Sequence, residues 1–310
     1  MALVGSWVAE RRREGVALVG LVLVGILTMG AVGYAAADML VHPARDHSTA
    51  LPSDVGLAFE PLRLHTEDGL ALAAWWMPAA QKDAPIVVFL HAYGASKAQS
   101  LAVAPFLHDA GYNVLAFDFR AHGDSDGTHT TFGLDEARDV RAAVLAASER
   151  PGVDASRLAL MGWSMGAAAA INAAPSLPEV RAIVADSPFA SLAGTMPGAL
   201  ATLGLPSMPF GKVTFAFATW LSGAPLSNDS PVDAARQARS PLLLIQGGSD
   251  VLVRADTDAR PLQEAAGERA HLWVVPGASH IDSLRTEKVA YERTVLAFLG
   301  EKLTLKPVAG

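Results

Sequence analysis

Along this chain, short runs that are apolar at nearly every position recur at 86–90, 113–118, 158–163, 181–186, 241–246 and 271–275. A strand of that kind buries both faces, as strands do inside a parallel sheet. Between most of these runs lie stretches with helical patterning, 97–110, 134–149, 165–174 and 255–266, and another at 285–302 closes the pattern. Strand and helix in this repeated order predict a mostly parallel sheet with helices on both faces. Ahead of them, residues 57–66 and 70–77 are two apolar stretches split by Glu67-Asp68-Gly69. Asp-Gly between such stretches is a hairpin signal, which brings the expected sheet to about eight strands.

Two segments break the rhythm. Val16 to Ala37 carries no charge, and its roughly 22 residues match a hydrocarbon core of about 30 Å. Arg11, Arg12 and Arg13 precede it and Asp38 follows, so the positive-inside rule places the amino end in the cytoplasm. One reading is a membrane anchor with an extracytoplasmic domain. The other is a signal peptide cleaved after Ala35-Ala36-Ala37, releasing a secreted protein. The second segment, 188–230, holds only two charged residues, Lys212 and Asp229, among many apolar and aromatic ones. A connection of that length usually carries its own function, so it is expected to form a cap over the carboxyl edge of the sheet. The resulting division is a cytoplasmic segment 1–15, the apolar run 16–37, a linker 38–56, a domain 57–303 bearing the cap, and a tail 304–310.

Composition narrows the function. The 310 residues are 51% hydrophobic and 18% charged, with 24 Lys and Arg against 31 Asp and Glu. A net charge of −7 leaves no excess of positive charge to hold a phosphate backbone, which argues against nucleic acid as a partner. Cysteine is absent, so disulfides, thiolate metal sites and cysteine nucleophiles are excluded together. Carboxylates and histidines show no coherent ligand spacing, and neither metal nor organic cofactor is expected.

The chemistry is concentrated in three places. Gly162-Trp163-Ser164-Met165-Gly166 directly follows a predicted strand and opens a predicted helix. In that context G-x-S-x-G is a nucleophile elbow, in which a sharp turn presents the serine and small neighbours let backbones approach. A serine hydroxyl is a weak nucleophile and needs a base with an orienting acid. Asp250, in the Gly247-Gly248-Ser249-Asp250 turn, and His280, in Gly277-Ala278-Ser279-His280, each follow a predicted strand. Both therefore fall at the carboxyl edge of the sheet, where sites of open α/β folds assemble. Asp186, closing the strand before the cap, is the rival acid. The Gly247-Gly248 pair is expected to permit the turn that presents Asp250.

With these motifs in this order, the chain resembles a serine-type α/β-hydrolase from about Leu57 to Leu303. His91-Ala92-Tyr93-Gly94 is similar to that family's H-G-x-G segment, with Ala92 in place of a glycine. The resemblance implies an oxyanion hole formed by the Tyr93 and Met165 amides. Asp118-Phe119-Arg120-Ala121-His122-Gly123-Asp124-Ser125 resembles the family's D-x-R-G-H-G-x-S loop, with Ala121 replacing a glycine; its Asp and Arg are expected to brace the turn through a charge-assisted hydrogen bond. Together with the amino-terminal segment, the chain resembles membrane-anchored α/β-hydrolase-domain proteins and prolyl-oligopeptidase-like catalytic domains. The resemblance implies a Ser164-His280-Asp250 triad hydrolysing esters or thioesters of a small acyl or lipid-like substrate. A peptidase, or a catalytically silent surface binding protein, are the alternatives.

Overall fold

The computed structural model describes residues 2–228 and 230–303, with side chains described from Arg12 onward. The tail expected at 304–310 lies outside them. An eight-stranded sheet forms, comprising β1 (Glu60–His65), β2 (Ala71–Met77), β3 (Ala84–Leu90), β4 (Asn113–Phe117), β5 (Val153–Trp163), β6 (Val180–Asp186), β7 (Leu242–Gly247) and β8 (Ala270–Val275). Their order across the sheet is β1-β2-β4-β3-β5-β6-β7-β8. The β1–β2 and β2–β4 pairings are antiparallel and the rest are parallel. The hairpin turn closes with the Thr66 amide donating to Leu70 O at 3.0 Å, and Gly69 takes φ 88°, a left-handed conformation that glycine adopts without a Cβ clash.

Alternation along each strand divides the core. Ile86, Val88 and Leu90 of β3 pack on one side of the sheet, while Val87 and Phe89 pack on the other. The first side is covered by α3 (Glu136–Ser148), α4 (Met165–Ala173), α7 (Pro231–Gln237) and α8 (Arg260–Ala266). The second is covered by α2 (Ala104–Asp109) and α10 (Lys288–Leu303), the latter preceded by the single turn α9 (Ser283–Thr286). Phe89 and Phe117 are fully buried, so truncating either to alanine would cost about 3–5 kcal/mol.

The cap lies between β6 and β7 as two helices, α5 (Leu192–Thr202) and α6 (Ser207–Ser222). The amino-terminal helix α1 (Ala2–Val41) continues four residues past Ala37. Its stretch Arg12–Val41 is long and apolar enough to cross a membrane. The far half of that stretch touches nothing, with Leu21 and Leu27 about 70% exposed. The near end is different. Ala37 and Val41 join Phe132, Phe189 and Ala218 in one buried cluster, and a Cβ on Gly33 would lie 2.6 Å from Val213 Cγ1, so α1 and α6 meet nearly backbone to backbone. Residues 43–51 have no regular structure but are tied to the domain. The Arg45 guanidinium donates to the carbonyls of Gly123 at 3.0 Å, Ser125 at 2.5 Å and Gly127 at 2.7 Å.

Candidate active site

Strand β5 runs straight into α4, and Ser164 stands at the joint with φ 50° and ψ −114°. A non-glycine residue pays about 1–3 kcal/mol for such a conformation and keeps it only when its surroundings over-determine it. Here the Ser164 amide donates to Asp186 O at 2.8 Å and the Ser164 carbonyl accepts from the Ala168 amide at 3.0 Å. The flanking glycines have a steric reason. A Cβ on Gly166 would sit 2.2 Å from Leu90 O, and one on Gly162 would sit 2.5 Å from the Gly166 backbone.

The loops after β7 and β8 are joined by backbone bonds. The Gly248 amide donates to Val275 O and the Ser249 amide to Ala278 O, each at 2.8 Å. A Cβ on Gly247 would lie 2.4 Å from Ser279 O. The Gly247–Asp250 turn closes with the Asp250 amide donating to Gly247 O at 3.3 Å and presents Asp250 as expected, and the glycines do something further. Neither glycine has positive φ; what the pair permits is contact between the two loops. That contact sets the geometry. His280 Nε2 is 2.8 Å from Ser164 Oγ, and His280 Nδ1 is 2.8 Å from Asp250 Oδ2. Since a carboxylate only accepts, the proton of the neutral imidazole belongs on Nδ1 and leaves Nε2 free to accept from the serine hydroxyl.

The Asp250 carboxylate is fully engaged. Its Oδ1 accepts from the Leu252 and Val253 amides, both at 2.9 Å, and its Oδ2 accepts from Gln246 Nε2 at 3.0 Å besides His280. Gln246 also donates to Val253 O at 2.7 Å. Sequence reasoning missed this residue, although a lone polar side chain in the apolar run of β7 was a signal for it. The rival Asp186 is buried at the end of β6, where it accepts from Ser187 Oγ at 3.1 Å and makes no hydrogen bond to the histidine. Burial pushes its carboxyl up to about 7, against the opposing pull of the Ser187 and Tyr291 hydroxyls beside it.

Tyr93 lies in the loop after β3. Its ring stacks on Phe132 with centroids 5.5 Å apart, and its hydroxyl donates to Met39 O of α1 at 3.0 Å. Burial pushes the phenol up to about 12, which keeps it a neutral donor. The backbone before it is pinned from both sides. His91 Nδ1 donates to Ala92 O at 2.7 Å while its Nε2 accepts from the Phe119 amide at 3.0 Å, and the Ala92 amide donates to Gln99 Oε1 at 2.8 Å. Burial holds His91 well below the ordinary imidazole range, so this neutral tautomer persists. Met165 is the first residue of α4, so its amide has no intrahelical acceptor.

The turn after β4 also departs from expectation. Asp118 and Arg120 do not brace one another. Asp118 accepts from Lys97 Nζ at 2.7 Å, while Arg120 pairs with Asp139 at 2.7 Å and with Asp68 at 2.9 Å. The chain has left β4 by this point, and the two side chains reach different elements: Asp118 meets Lys97, which lies over the Trp75 ring, and Arg120 meets Asp139 of α3. Ala121 takes φ 62°, which accounts for glycine at this place in the resembling motif.

Above Ser164 is a cavity of about 160 Å³ whose lining includes Leu40, Tyr93, Phe132, Met196 and Leu252. No charged side chain lines it among the described residues. Nor do three His, Asp or Glu side chains converge there in a metal-binding group.

Comparison with known proteins agrees with this architecture. A family model described as "Alpha/beta hydrolase family" matches residues 87–292. The esterase Pf2001 of Pyrococcus furiosus superposes with a TM-score of 0.73 at 29% identity, covering 86% of this chain and 99% of its own. The uncharacterized protein Rv2307c of Mycobacterium tuberculosis is 31% identical over 241 residues, 77% of either chain. A puromycin-hydrolyzing peptidase from Mycobacterium tuberculosis shares the fold, with a TM-score of 0.62 at 18% identity over 82% of this chain and 40% of its own. With two thirds of its length matched by the family model and the sheet order and serine turn in place, the chain belongs to the alpha/beta hydrolase family.

Proposed function

We propose that this protein is a membrane-anchored serine hydrolase that cleaves carboxylic esters or thioesters carrying an apolar acyl group. The observation that carries the reading is the unbroken relay from Ser164 through His280 to Asp250, both links 2.8 Å, opening into an uncharged cavity. In this mechanism Ser164 Oγ attacks the acyl carbonyl as its proton passes to His280 Nε2. Asp250 holds the imidazole orientation and stabilises the imidazolium. The Tyr93 and Met165 amides receive the oxyanion, helped by the positive end of α4. His280 then returns the proton to the leaving oxygen or sulfur, and water hydrolyses the acyl-enzyme by the same route in reverse.

The apolar run of α1 is the anchor, with the three arginines before that run on the cytoplasmic side and the hydrolase outside. Its packing supports retention over cleavage. Loss of residues up to Ala37 would strip Gly33, Ala36 and Ala37 from their contacts with the cap.

A panel of p-nitrophenyl esters of graded acyl length beside aminoacyl nitroanilides tests the reaction class. Each methylene that enters the cavity contributes about 0.8 kcal/mol, so kcat/KM should rise about threefold or fourfold per carbon before levelling. Faster cleavage of the anilides than of any ester would contradict the reading.

A further inference from the structure

The cap helix α6 carries one charge, Lys212, and neither of its faces is the charged face of a solvent-facing helix. Thr214, Ala218 and Ser222 are buried against the protein at a spacing of four. On the opposite side Lys212, Ala216 and Trp220 are exposed at the same spacing, Trp220 by 69%, and Met208 at the start of the element is 70% exposed. A helix without a polar face belongs inside a core or a membrane. The protein supplies no core on this side.

The position of α1 says what does. Tyr34 of α1 packs its ring against Phe217 at 5.6 Å and Trp220 at 6.4 Å, and Gly33 abuts Val213. Those α1 residues stand three and four positions before Ala37, the end of the uncharged run. At about 1.5 Å per residue the contact lies about 5 Å inside the apolar span, the depth at which interfacial helices settle. Tyr34 and Trp220 are the residue types of an aromatic belt, and Lys212 is long enough to raise its ammonium to the headgroups.

A groove of about 400 Å³ runs between α5 and α6, lined by Met196, Pro197, Met208 and Phe215 among others. Met196 also lines the cavity above Ser164. Met196 is therefore common to the exposed apolar groove and to the cavity above the serine.

We infer that α6 is embedded in the outer leaflet beside α1, and that the α5–α6 groove admits the acyl chain of a bilayer-resident ester past Met196 to Ser164. The substrate half of this inference rests on the hydrolase reading above; the embedding of α6 does not. The natural absence of cysteine allows single spin labels to be placed without other changes. Full-length protein in phosphatidylcholine vesicles, labelled at Trp220→Cys, at the milder Ala216→Cys, or at Arg236→Cys on α7, should divide by collision partner. Labels at 216 and 220 should be relaxed more by lipid-soluble oxygen than by an aqueous nickel chelate, with the reverse at 236. Preference for the chelate at 216 and 220 would overturn the embedding. In the same vesicles Trp220→Glu should lower the ratio of dioleoylglycerol turnover to p-nitrophenyl butyrate turnover by about fivefold or more, since the charge opposes interfacial burial. An unchanged ratio would overturn the route. If wild-type protein turned over neither ester, the proposed reaction would fall, and the labels would still decide where α6 sits.

Discussion

In the loops that carry Asp250 and His280, each Asp250 carboxylate oxygen has two donors and the backbones are bonded to each other. In α6, sixteen residues carry one charge, and the outer face leaves Trp220 and Met208 about 70% exposed, with Tyr34 of α1 beside Trp220. The first region is determined by directional bonds that close within the chain. The second is shaped by apolar contact alone and is complete only in a nonaqueous setting. Substitutions should therefore separate them, with changes in the polar loops altering chemistry and changes in the cap altering substrate access.

The largest effect is expected from Asp250→Asn. An amide in place of the orienting carboxylate favours the wrong imidazole tautomer, which in a serine protease lowers kcat about ten-thousandfold. The same order of loss is expected here, while Asp186→Asn should lose far less, both variants remaining folded by circular dichroism. Steady-state kinetics of the pair checks this, and a greater loss at position 186 would place the orienting acid on β6.

Next comes the seam between α1 and the cap. Gly33→Ala forces a methyl into Val213, and overpacking of this kind costs about 1–3 kcal/mol. Thermal unfolding should fall by several degrees and recover in the double variant with Val213→Ala. Equal stability of Gly33→Ala and wild type would show that the two helices do not meet this closely.

The smallest effect concerns stability against pH. Burial pushes Asp186 up to about 7, above its unfolded value, so the native state holds a proton that the unfolded chain releases. That contribution is fully present below the unfolded carboxyl value, near pH 4, and is lost as pH rises through about 7. Asp186→Asn should reduce the decline in unfolding free energy between pH 5 and 8, measured by denaturant titration, by about 1 kcal/mol or more. A slope as steep as that of the wild type would assign it to another group.

Six strands were legible because buried strands leave runs that are apolar on both faces, and β1 and β2 because Asp-Gly marks their hairpin; β1 itself is a mostly exposed edge strand. Among the six, the exception is the start of β5 at Val153, where Asp154, Ser156 and Arg157 are polar and pairing with Ala84 is purely backbone. The elbow was legible for a local reason: both glycines and the strand-helix junction are adjacent in sequence. Gln246, Arg45 and the contact between Tyr93 and Met39 were not. Each depends on a neighbour brought close by the fold, and nothing in a residue's own flanks specifies a distant carbonyl. The turn at Gly247-Gly248 was legible, but the close approach of Gly247 to Ser279 was not, since turns and close approaches across loops leave the same letters. Helix α7 was unmarked because its seven residues stand without the preceding helical turn that lengthens the equally short α8.

The central claim, that Ser164 is the nucleophile activated by His280, is tested most directly by labelling with a fluorophosphonate probe, which reacts covalently with activated serines. Wild-type protein should be labelled once, with the modified peptide containing Ser164, and a folded Ser164→Ala variant should not be labelled at all. Labelling that persists in Ser164→Ala, or a wild type that stays unlabelled, would contradict the account.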